Sequence, residues 1–496
     1  MSQAATAPGG TFFGHPRGLA TLFFTEMWER FSYYGMRALL ILFMTAAVTG
    51  DNPGMGLTDG TAAAIYGLYT SLVYLLALPG GWVADQIWGQ QKAVFVGGSI
   101  IAAGHFSMAF PSDQTFFLGL ILIVIGTGLL KPNVSTIVGE LYPEGGAARD
   151  AGFSVYYMGI NLGAFLGPLA CGYFGEGINW HYGFSLAGFG MVLGLIQYRF
   201  GTKHLGTAGS FRTHDAPEVT AAKSRKFYLI TGVVTALLVV FGFLVSSGVL
   251  DLTLTDIAEG LGSSILIIVA VFFIYLIFFG GHTTIEKKRL GIIFWLFILA
   301  AIFWSGFEQA GSSLNLFADR MTDRTFGSWE MPASWLQSVN STFIIIFAPI
   351  FGSIWVTLAR INKHPSFLIK FALGLLGLGA GFFVVAWGAA NAEPGTVGIT
   401  FLIVTYFLHT VGELCLSPVG MSSITKLAPE GRVGQMMGIW FVATALGNLI
   451  AGLVAGDIGN LGFDGLFQQV ALISAGAGVV ALLLAFPLRR FTGGVD

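Results

Sequence analysis

Long apolar runs separated by short polar segments make up most of this chain. Because about 20 apolar residues span the hydrocarbon core of a bilayer as a helix, fourteen of these runs are long enough to cross it. Six runs come first, two follow a basic polar stretch, and six follow a charge cluster at 286–289. Their approximate ranges are 19–48, 61–83, 91–110, 114–139, 149–172, 180–200, 227–250, 261–282, 290–318, 334–359, 366–388, 396–425, 434–456 and 466–488.

The composition fits this pattern. Only 10% of the residues are charged and 54% are hydrophobic, whereas a soluble globular protein has about 25% charged residues. We therefore predict an all-α integral membrane protein with 14 transmembrane helices. The net charge of −2 gives no argument for binding nucleic acid. The chain has no GxxxxGK[ST] run and no soluble segment of ATPase size, so any active transport would have to use an ion gradient.

Basic residues outside the apolar runs sort to one side of the membrane if the runs alternate in direction. Of 24 lysines and arginines, 19 fall on that side. Three others, Arg30, Arg37 and Lys131, lie well inside runs, away from the run ends, and Arg320 and Arg324 lie between the ninth and tenth runs, on the opposite side. Since positively charged loops mark the cytoplasmic side, both termini are predicted to be cytoplasmic.

The grouping of the runs predicts two six-helix bundles, at 19–200 and 290–488. The linker between them, 201–289, holds two extra transmembrane helices, and 1–18 and 489–496 are cytoplasmic tails. Two halves with equal numbers of helices suggest internal pseudo-symmetry. Such halves commonly hold a binding site between them, near the bilayer midplane.

The first run carries four charged side chains among apolar and aromatic residues. A charge at the bilayer centre costs about 2.5–3.5 kcal/mol even on the insertion-based scale, so these charges need a water-filled cavity and opposite partners. At roughly 100° per residue they fall on or beside one narrow stripe of the helix. This stripe is predicted to line a polar pathway through the membrane. The side chains on and beside it are Glu26, Glu29, Arg30, Tyr33, Tyr34 and Arg37.

The ionisable residues that we expect to be buried beyond the first run divide by sign between the halves. Lys131 adds a cation to the first half, whereas Glu308 and Glu413 are acids of the second half. A zwitterion between the halves would meet cations at its carboxylate and an acid at its ammonium. The alternative is that these residues form structural salt bridges between the halves. The two interpretations are compatible if ion pairs such as Arg37–Glu308 break and re-form as the halves move.

Glu26 and Glu29 are candidate proton carriers, because each lies within one turn of Arg30. A substrate carboxylate would compete with these glutamates for the positive charge of the arginine. Glu26 and Glu29 could then change protonation when substrate binds, which would couple proton transport to substrate transport. Other polar side chains share helix faces at a spacing of four residues: Tyr157 with Asn161, and His409 with Glu413 and Ser417. The side chains that could line a pocket are Tyr33, Tyr34, Tyr74, Trp304, Asn340 and Trp440. Their aromatic members could equally face lipid, and His409 alone could be structural.

Several motifs resemble one family. The run at 26–35, EMWERFSYYG, resembles the ExxERFxYYG signature of the proton-dependent oligopeptide transporters, a branch of the major facilitator superfamily. Further motifs that agree with the family lie across the chain: GGWVAD at 80–85, GLLKPN at 128–133, YMGINLG at 157–163, FEQAGSS at 307–313, GELCLSP at 412–418 and MGIWF at 437–441. The extra helices at 227–282 are similar to those of bacterial members.

The resemblance implies the major facilitator superfamily fold and proton-coupled import of di- and tripeptides by alternating access. It places the carboxylate of the peptide at Arg30 and Lys131, and its amino group at Glu413, Asn161 and Asn340. The implied pocket residues are Tyr33, Tyr34, Tyr74, Trp304, Ser417 and Trp440, and the residues expected in proton coupling are Glu26, Glu29, Arg30 and Glu308. Arg37–Glu308 and Lys131–Glu413 would be gating pairs. Animal relatives carry a functional histidine in the second helix, which is absent from 61–83 here, so the glutamates carry more of the coupling.

Three other functions compete with peptide import. The same fold could move nitrate or another small anion, but Glu413 would repel an anion. A drug exporter would favour cations, which Arg30 and Lys131 oppose. An intramembrane enzyme lacks support, because the histidines are scattered and no metal-ligand motif or nucleophile–base pair stands out. We thus expect no enzyme activity, no cofactor and no metal, and a monomer in the bacterial inner membrane whose partners are peptides, protons and lipid.

Overall fold

The computed structural model describes residues 11–213 and 215–495, so positions 1–10 and 496 of the predicted tails and position 214 of the predicted linker lie outside it. Helices dominate the described residues. The α-helices are α1 (Gly18–Thr45), α2 (Asp59–Leu75), α3 (Ala77–Val83), α4 (Gln90–Ser107), α5 (Asp113–Glu140), α6 (Gly146–Gly177), α7 (Trp180–Gly201), α8 (Pro217–Ser246), α9 (Leu254–Phe279), α10 (Thr284–Phe307), α11 (Ser313–Arg320), α12 (Ser338–Arg360), α13 (Phe367–Ala390), α14 (Thr400–Leu427), α15 (Val433–Ala455) and α16 (Ile458–Arg489).

Short elements connect the helices. A π-helical turn follows α3 at Ala84–Trp88, and 3₁₀ turns lie at Thr202–His204, Glu308–Gly311 and Ala333–Gln337. The two-residue strands are β1 (Thr11–Phe12), β2 (His15–Pro16), β3 (Thr322–Asp323), β4 (Thr325–Phe326), β5 (Trp329–Glu330) and β6 (Val397–Gly398). Strands β1 and β2 pair antiparallel, as do β4 and β5, whereas β3 pairs parallel with β6.

Each of the fourteen apolar runs coincides with helical structure. Within the described residues, eleven helical segments are long and apolar enough to cross a membrane. The three runs outside this set are α1, α4 and α7. Helix α1 carries four charges, and α4 and α7 contain Gln, Lys, His and Arg near their ends. These helices therefore depend on packing and on paired charges more than on simple hydropathy.

Two of the runs are broken helices. The second run changes from α2 to α3 at Leu76, because Pro79 has no N–H to donate to the carbonyl of Leu75. The ninth run starts at a capping box, in which the carboxylate of Glu286 accepts the N–H of Thr283 at 2.8 Å. It then breaks at Glu308–Gly311, after which Ser312 has non-helical dihedral angles (φ −123°, ψ −97°). The break puts Glu308 at the C-terminal end of α10.

The described residues form two compact units that do not follow chain order. The first comprises the described parts of Met1–Glu29, Leu76–Ile160 and Gly188–Ile257. Its core includes Leu22, Val94, Leu130, Val138 and Met191, all nearly inaccessible to solvent. Helices α4, α5 and α7 supply most of these side chains.

The second unit comprises Arg30–Leu75, Asn161–Ala187 and the described part of Ala258–Asp496. In this unit α2 packs closely on α15, because a Cβ added at Gly67 would lie 2.9 Å from the Cα of Gly452. Small residues that let helix backbones approach are typical of packing in membranes. The division of the chain into 19–200, 201–289 and 290–488 stays a prediction.

Candidate functional site

One buried charge of α1, that of Arg37, meets the end of the broken helix α10 within the second unit. Nη1 of Arg37 lies 2.7 Å from Oε2 of Glu308, and both side chains are at most 7% exposed. A helix C-terminus carries partial negative charge, so a carboxylate at the end of α10 needs a cation close by. Arg37 supplies that cation, and its guanidinium also lies over the ring of Tyr34, 5.0 Å from the centroid. The predicted pair thus forms in the structure, while its role in gating stays a prediction.

Aromatic rings extend from this ion pair. The guanidinium carbon of Arg30 lies 5.3 Å from the ring centroid of Tyr33, within the range of a cation–π contact. Tyr33 stacks on Tyr69 of α2 with ring centroids 6.4 Å apart. From the sequence, Tyr69 is the nearby alternative to Tyr74 for the pocket position, and only Tyr74 is among the predicted site residues. Tyr74 follows it by five residues, which turns it to a different face of the same helix.

A second polar cluster lies where α12 packs on α14. Nδ2 of Asn340 donates to Oγ1 of Thr410 at 2.9 Å and to Oε2 of Glu413 at 3.3 Å. Asn340 and Glu413 are both only partly buried. Ser417 follows Glu413 by one turn and is also half-buried. His409, in contrast, is 1% exposed and packs on the ring of Phe382, which favours a structural role.

The predicted site residues divide between the two units. Glu26 and Glu29 are buried in the first unit, which also contains Lys131 and Tyr157. The others belong to the second unit: Arg30, Tyr33, Tyr34, Arg37, Tyr74, Asn161, Trp304, Glu308, Asn340, Glu413, Ser417 and Trp440. The proposed pair Lys131–Glu413 joins residues of different units and stays a prediction. Among the described residues, no group of three or more His, Cys, Asp and Glu side chains could hold a metal ion.

The ion pairs of two arginines were not predicted from the sequence. The guanidinium of Arg320, at the end of α11, binds both carboxylate oxygens of Asp59, at the start of α2, at 2.7 and 2.8 Å. Arg324 lies 2.9 Å from the carboxylate of Glu330 and 3.2 Å from that of Asp319. These two arginines are the ones that depart from the charge sorting between loops. Their position among the acidic loops was the sequence signal for these ion pairs, because a cation on the acidic side needs a local partner.

Residues of α6 hold the segment that leads into α12. The carboxylate of Glu176 accepts the backbone N–H groups of Ala333 and Ser334 at 2.8 and 3.0 Å, and so caps a 3₁₀ turn. The Nε1 atom of Trp335 donates to the carbonyl of Leu169 at 2.9 Å. These bonds join residues of the first and second halves of the sequence within one unit. Alternation of the helices puts them on the same side of the membrane as Asp59–Arg320.

We predict a small, salt-dependent coupling for the Asp59–Arg320 pair. Its side chains are 22% and 36% exposed, so the pair should contribute about 0.2–1 kcal/mol at low salt. The coupling should shrink as the ionic strength rises, because exposed charges are screened. A double-mutant cycle of Asp59→Asn and Arg320→Gln, read from thermal unfolding, measures it. Asp51→Asn, at an exposed acid without an ion-pair partner in the described chain, should be additive with Arg320→Gln. Equal coupling at low and high salt would contradict the prediction.

Comparison with known proteins adds independent evidence. The model of the POT family matches residues 91–461. The chain is 42% identical to the peptide transporter YePEPT of Yersinia enterocolitica, over 99% of this chain and 98% of the relative. It is 35% identical to a di-/tripeptide transporter of Lactococcus lactis, over 98% of each chain.

Solved structures agree with these sequence relatives. A crystal structure of the peptide transporter POT in complex with sulfate superposes with a TM-score of 0.91 and 39% identity, covering 98% of each chain. A POT family transporter in complex with 5-aminolevulinic acid superposes with a TM-score of 0.88 and 34% identity, covering 97% of this chain and 99% of the other.

Proposed function

Because this chain belongs to the POT family and has the major facilitator superfamily fold, it is a multi-pass membrane transporter and not an enzyme, and we propose that it imports di- and tripeptides together with protons. Relatives named as peptide and di-/tripeptide transporters match it over nearly their full length. We further propose that it acts as a monomer in the bacterial inner membrane, with both termini in the cytoplasm.

The observation that carries the proposal is the oriented carboxylate of Glu413. A carboxylate inside a membrane-spanning helix is energetically costly, so its presence there marks a functional site. The partly exposed carboxylate of Glu413 is held in place by an amide hydrogen bond from Asn340. In the proposed complex Glu413, with Asn340 and Asn161, receives the amino group of the peptide. Arg30 and Lys131 receive the carboxylate at the other end. A nitrate-like anion gains nothing from an acid at this position.

The proposed pocket for peptide side chains is lined by aromatic rings and one hydroxyl. Large rigid rings offer contact area to varied side chains without requiring one particular shape. The stack of Tyr33 on Tyr69 adds a member to the set expected from the sequence. The proposed lining residues are Tyr33, Tyr34, Tyr69, Tyr74, Tyr157, Trp304, Ser417 and Trp440.

Coupling is proposed to run through Glu26, Glu29 and Arg30 and through the pair Arg37–Glu308. A peptide carboxylate at Arg30 draws that cation away from the two glutamates, which favours their protonation. Protonation of Glu308 in turn releases Arg37, because a neutral carboxyl no longer balances the guanidinium. Loss of this pair, together with Asp59–Arg320, would free the halves at one end and allow alternating access. We propose that Lys131–Glu413 is a second gating pair of the transport pathway.

Purified protein in liposomes with an imposed inward proton gradient tests the proposal. We expect accumulation of a labelled dipeptide, loss of accumulation with an uncoupler, and loss with Arg30→Ala. Tri- and tetrapeptides as competitors define the length limit. Gradient-driven nitrate uptake without peptide uptake, or export of hydrophobic cations, would refute it. Arg225→Ala, an exposed arginine of the linker, serves as the matched control and should leave uptake unchanged.

A further inference from the structure

An open cavity of about 420 Å³ lies in the first unit, where α4 begins and α7 ends, and none of its lining residues belongs to the proposed peptide site. Lys92 and Arg199 contribute two cations to its lining, and Thr202 and Ser210 contribute hydroxyl groups. Both cations are exposed, and neither has an ion-pair partner in the described part of the chain. The lining of the cavity therefore combines two positive charges with the hydroxyl of Ser210 as a hydrogen-bond donor, since the hydroxyl of Thr202 donates to the carbonyl of Tyr198 at 2.7 Å. We call it the α4–α7 cavity.

Hydrogen bonds fix one wall of the α4–α7 cavity. The backbone N–H of Gln91 donates to the carbonyl of Gly209 at 2.9 Å, and its side-chain amide donates to the carbonyl of Ala208 at 2.6 Å. The backbone N–H of Gly209 is bound by the carboxylate of Glu140 at 2.9 Å. Gly89 adopts a positive φ of 77°, and a Cβ there would lie 2.5 Å from the backbone nitrogen of Phe211. The segment around 205–211 is thus held against the start of α4.

The extra helix α8 holds Trp88, another lining residue of the cavity. Nε1 of Trp88 donates to the hydroxyl of Tyr228 in α8 at 3.1 Å. The ammonium of Lys92 lies over the Trp88 ring, 5.3 Å from its centroid. This contact orients the lysine without neutralising it, because the ring contributes only a quadrupole. One of the two inserted helices therefore helps to build the cavity.

Apolar side chains continue from the cavity along the surface of the helices. Phe95, one turn into α4, is 40% exposed, and Ile196 and Leu193, one and two turns back along α7, are each 48% exposed. Both cations lie within three residues of a helix end. In a membrane-spanning chain this arrangement places charge at the water interface and the apolar surface beside it in the hydrocarbon. A phospholipid has the same arrangement, with its charged headgroup at the interface and its acyl chains beside it in the hydrocarbon.

We propose that the α4–α7 cavity binds the phosphate headgroup of an anionic phospholipid. Lys92 and Arg199 pair with the phosphate, and the hydroxyl of Ser210 donates a hydrogen bond to one of its oxygens, whereas the hydroxyl of Thr202 already donates to the carbonyl of Tyr198. The acyl chains lie along Phe95 and Ile196. Basic pockets between transmembrane helices at the cytoplasmic surface are suited to such headgroups. The choice of a lipid over free phosphate rests on the apolar surface that continues from the cations.

Binding of defined lipids to the delipidated full-length protein tests this proposal. Native mass spectrometry and thermal unfolding are recorded with phosphatidylglycerol, phosphatidylethanolamine and inorganic phosphate. We expect retention and stabilisation by phosphatidylglycerol only, weakened about thirtyfold in Lys92→Gln/Arg199→Gln. Lys203→Gln/Arg225→Gln removes the same charge from exposed positions outside the cavity and should leave binding within about twofold of wild type.

Three results would overturn the proposal. Equal loss in both double variants would indicate a general basic surface, and equal retention of phosphatidylethanolamine would remove the role of net charge. Stabilisation by inorganic phosphate to the same extent would show that no lipid is needed. Lys92→Arg/Arg199→Lys keeps both charges and should retain phosphatidylglycerol. This variant separates lost binding from misfolding, because it changes the same two positions.

Discussion

Glu308→Gln should lower the thermal stability of this transporter and abolish proton-driven uptake of peptide. The substitution leaves Arg37 buried without its partner, and breaking a buried ion pair on one side costs about 3–5 kcal/mol. Uptake should fail as well, because a glutamine cannot alternate between charged and neutral forms. Thermal unfolding in detergent and uptake in liposomes, measured on the same preparation, check the two effects separately.

Replacing both partners separates a structural salt bridge from a working gate. Arg37→Met/Glu308→Met leaves no uncompensated charge, so stability should return towards that of the wild type. If the pair only held the helices together, uptake would return too. We expect stability to recover while gradient-driven accumulation stays lost. Recovery of both in the double variant would contradict a role in coupling.

Glu330→Gln provides the control for this experiment. It breaks the ion pair with Arg324, in which the glutamate side chain is 66% exposed. Because exposed pairs contribute roughly 0–1 kcal/mol, unfolding and uptake should change little. A loss as large as that of Glu308→Gln would mean that burial is not what makes Arg37–Glu308 important.

The fourteen apolar runs could be predicted because a run of apolar residues long enough for the bilayer is a local feature, and eleven of the helical segments also meet that rule in the structure. The charges of α1 could be recognised for the same reason, since they violate that rule. Arg37 and Glu308 could be suggested as partners because each half offered few ionisable groups of opposite sign. These inferences require only the solvent preference of each residue and its spacing.

Contacts between distant segments could not be derived in this way. Asp59 and Arg320 are 261 positions apart, and no spacing rule connects them. Tyr69 and Tyr74 share one helix, and the choice between them depends on how α2 rotates before its break at Leu76. The bond between Trp88 and Tyr228 likewise depends on where the extra helix α8 packs. Such pairings are set by tertiary packing, which the sequence pattern leaves open.

The break in the ninth run explains why Glu308 needs a cation close by. A continuous helix would satisfy the carbonyls near Glu308 internally, whereas the break at Glu308–Gly311 ends α10 there. The partial negative charge at the C-terminal end of α10 and the charge of the Glu308 carboxylate then lie at the same place, and Arg37 balances both. Farther along, α11 ends at Arg320, a cation at a helix C-terminus, which is favourable by the same rule.

Glu413→Gln should remove the preference for peptides with a free amino group. A charge-assisted hydrogen bond contributes about 1.5–3 kcal/mol, so affinity for a free dipeptide should fall by about ten- to 150-fold. An N-acetylated dipeptide has no ammonium to lose, and its weaker affinity should stay nearly unchanged. Competition by each peptide against labelled dipeptide, measured in liposomes by counterflow, gives both values. Counterflow needs no proton gradient, so it isolates binding from coupling.

The matched control is Glu393→Gln, an exposed acid in the segment between α13 and α14, which should leave both affinities as they are. Asn340→Ala should have the same direction of effect as Glu413→Gln but a smaller size, because the carboxylate remains and loses only the amide that holds it. Equal losses for free and acetylated peptides in Glu413→Gln would place the amino group elsewhere. In that case the bond between Asn340 and Glu413 would serve the packing of α12 on α14, and Glu308, the other acid predicted inside the membrane in the second half, would be the candidate contact for the ammonium.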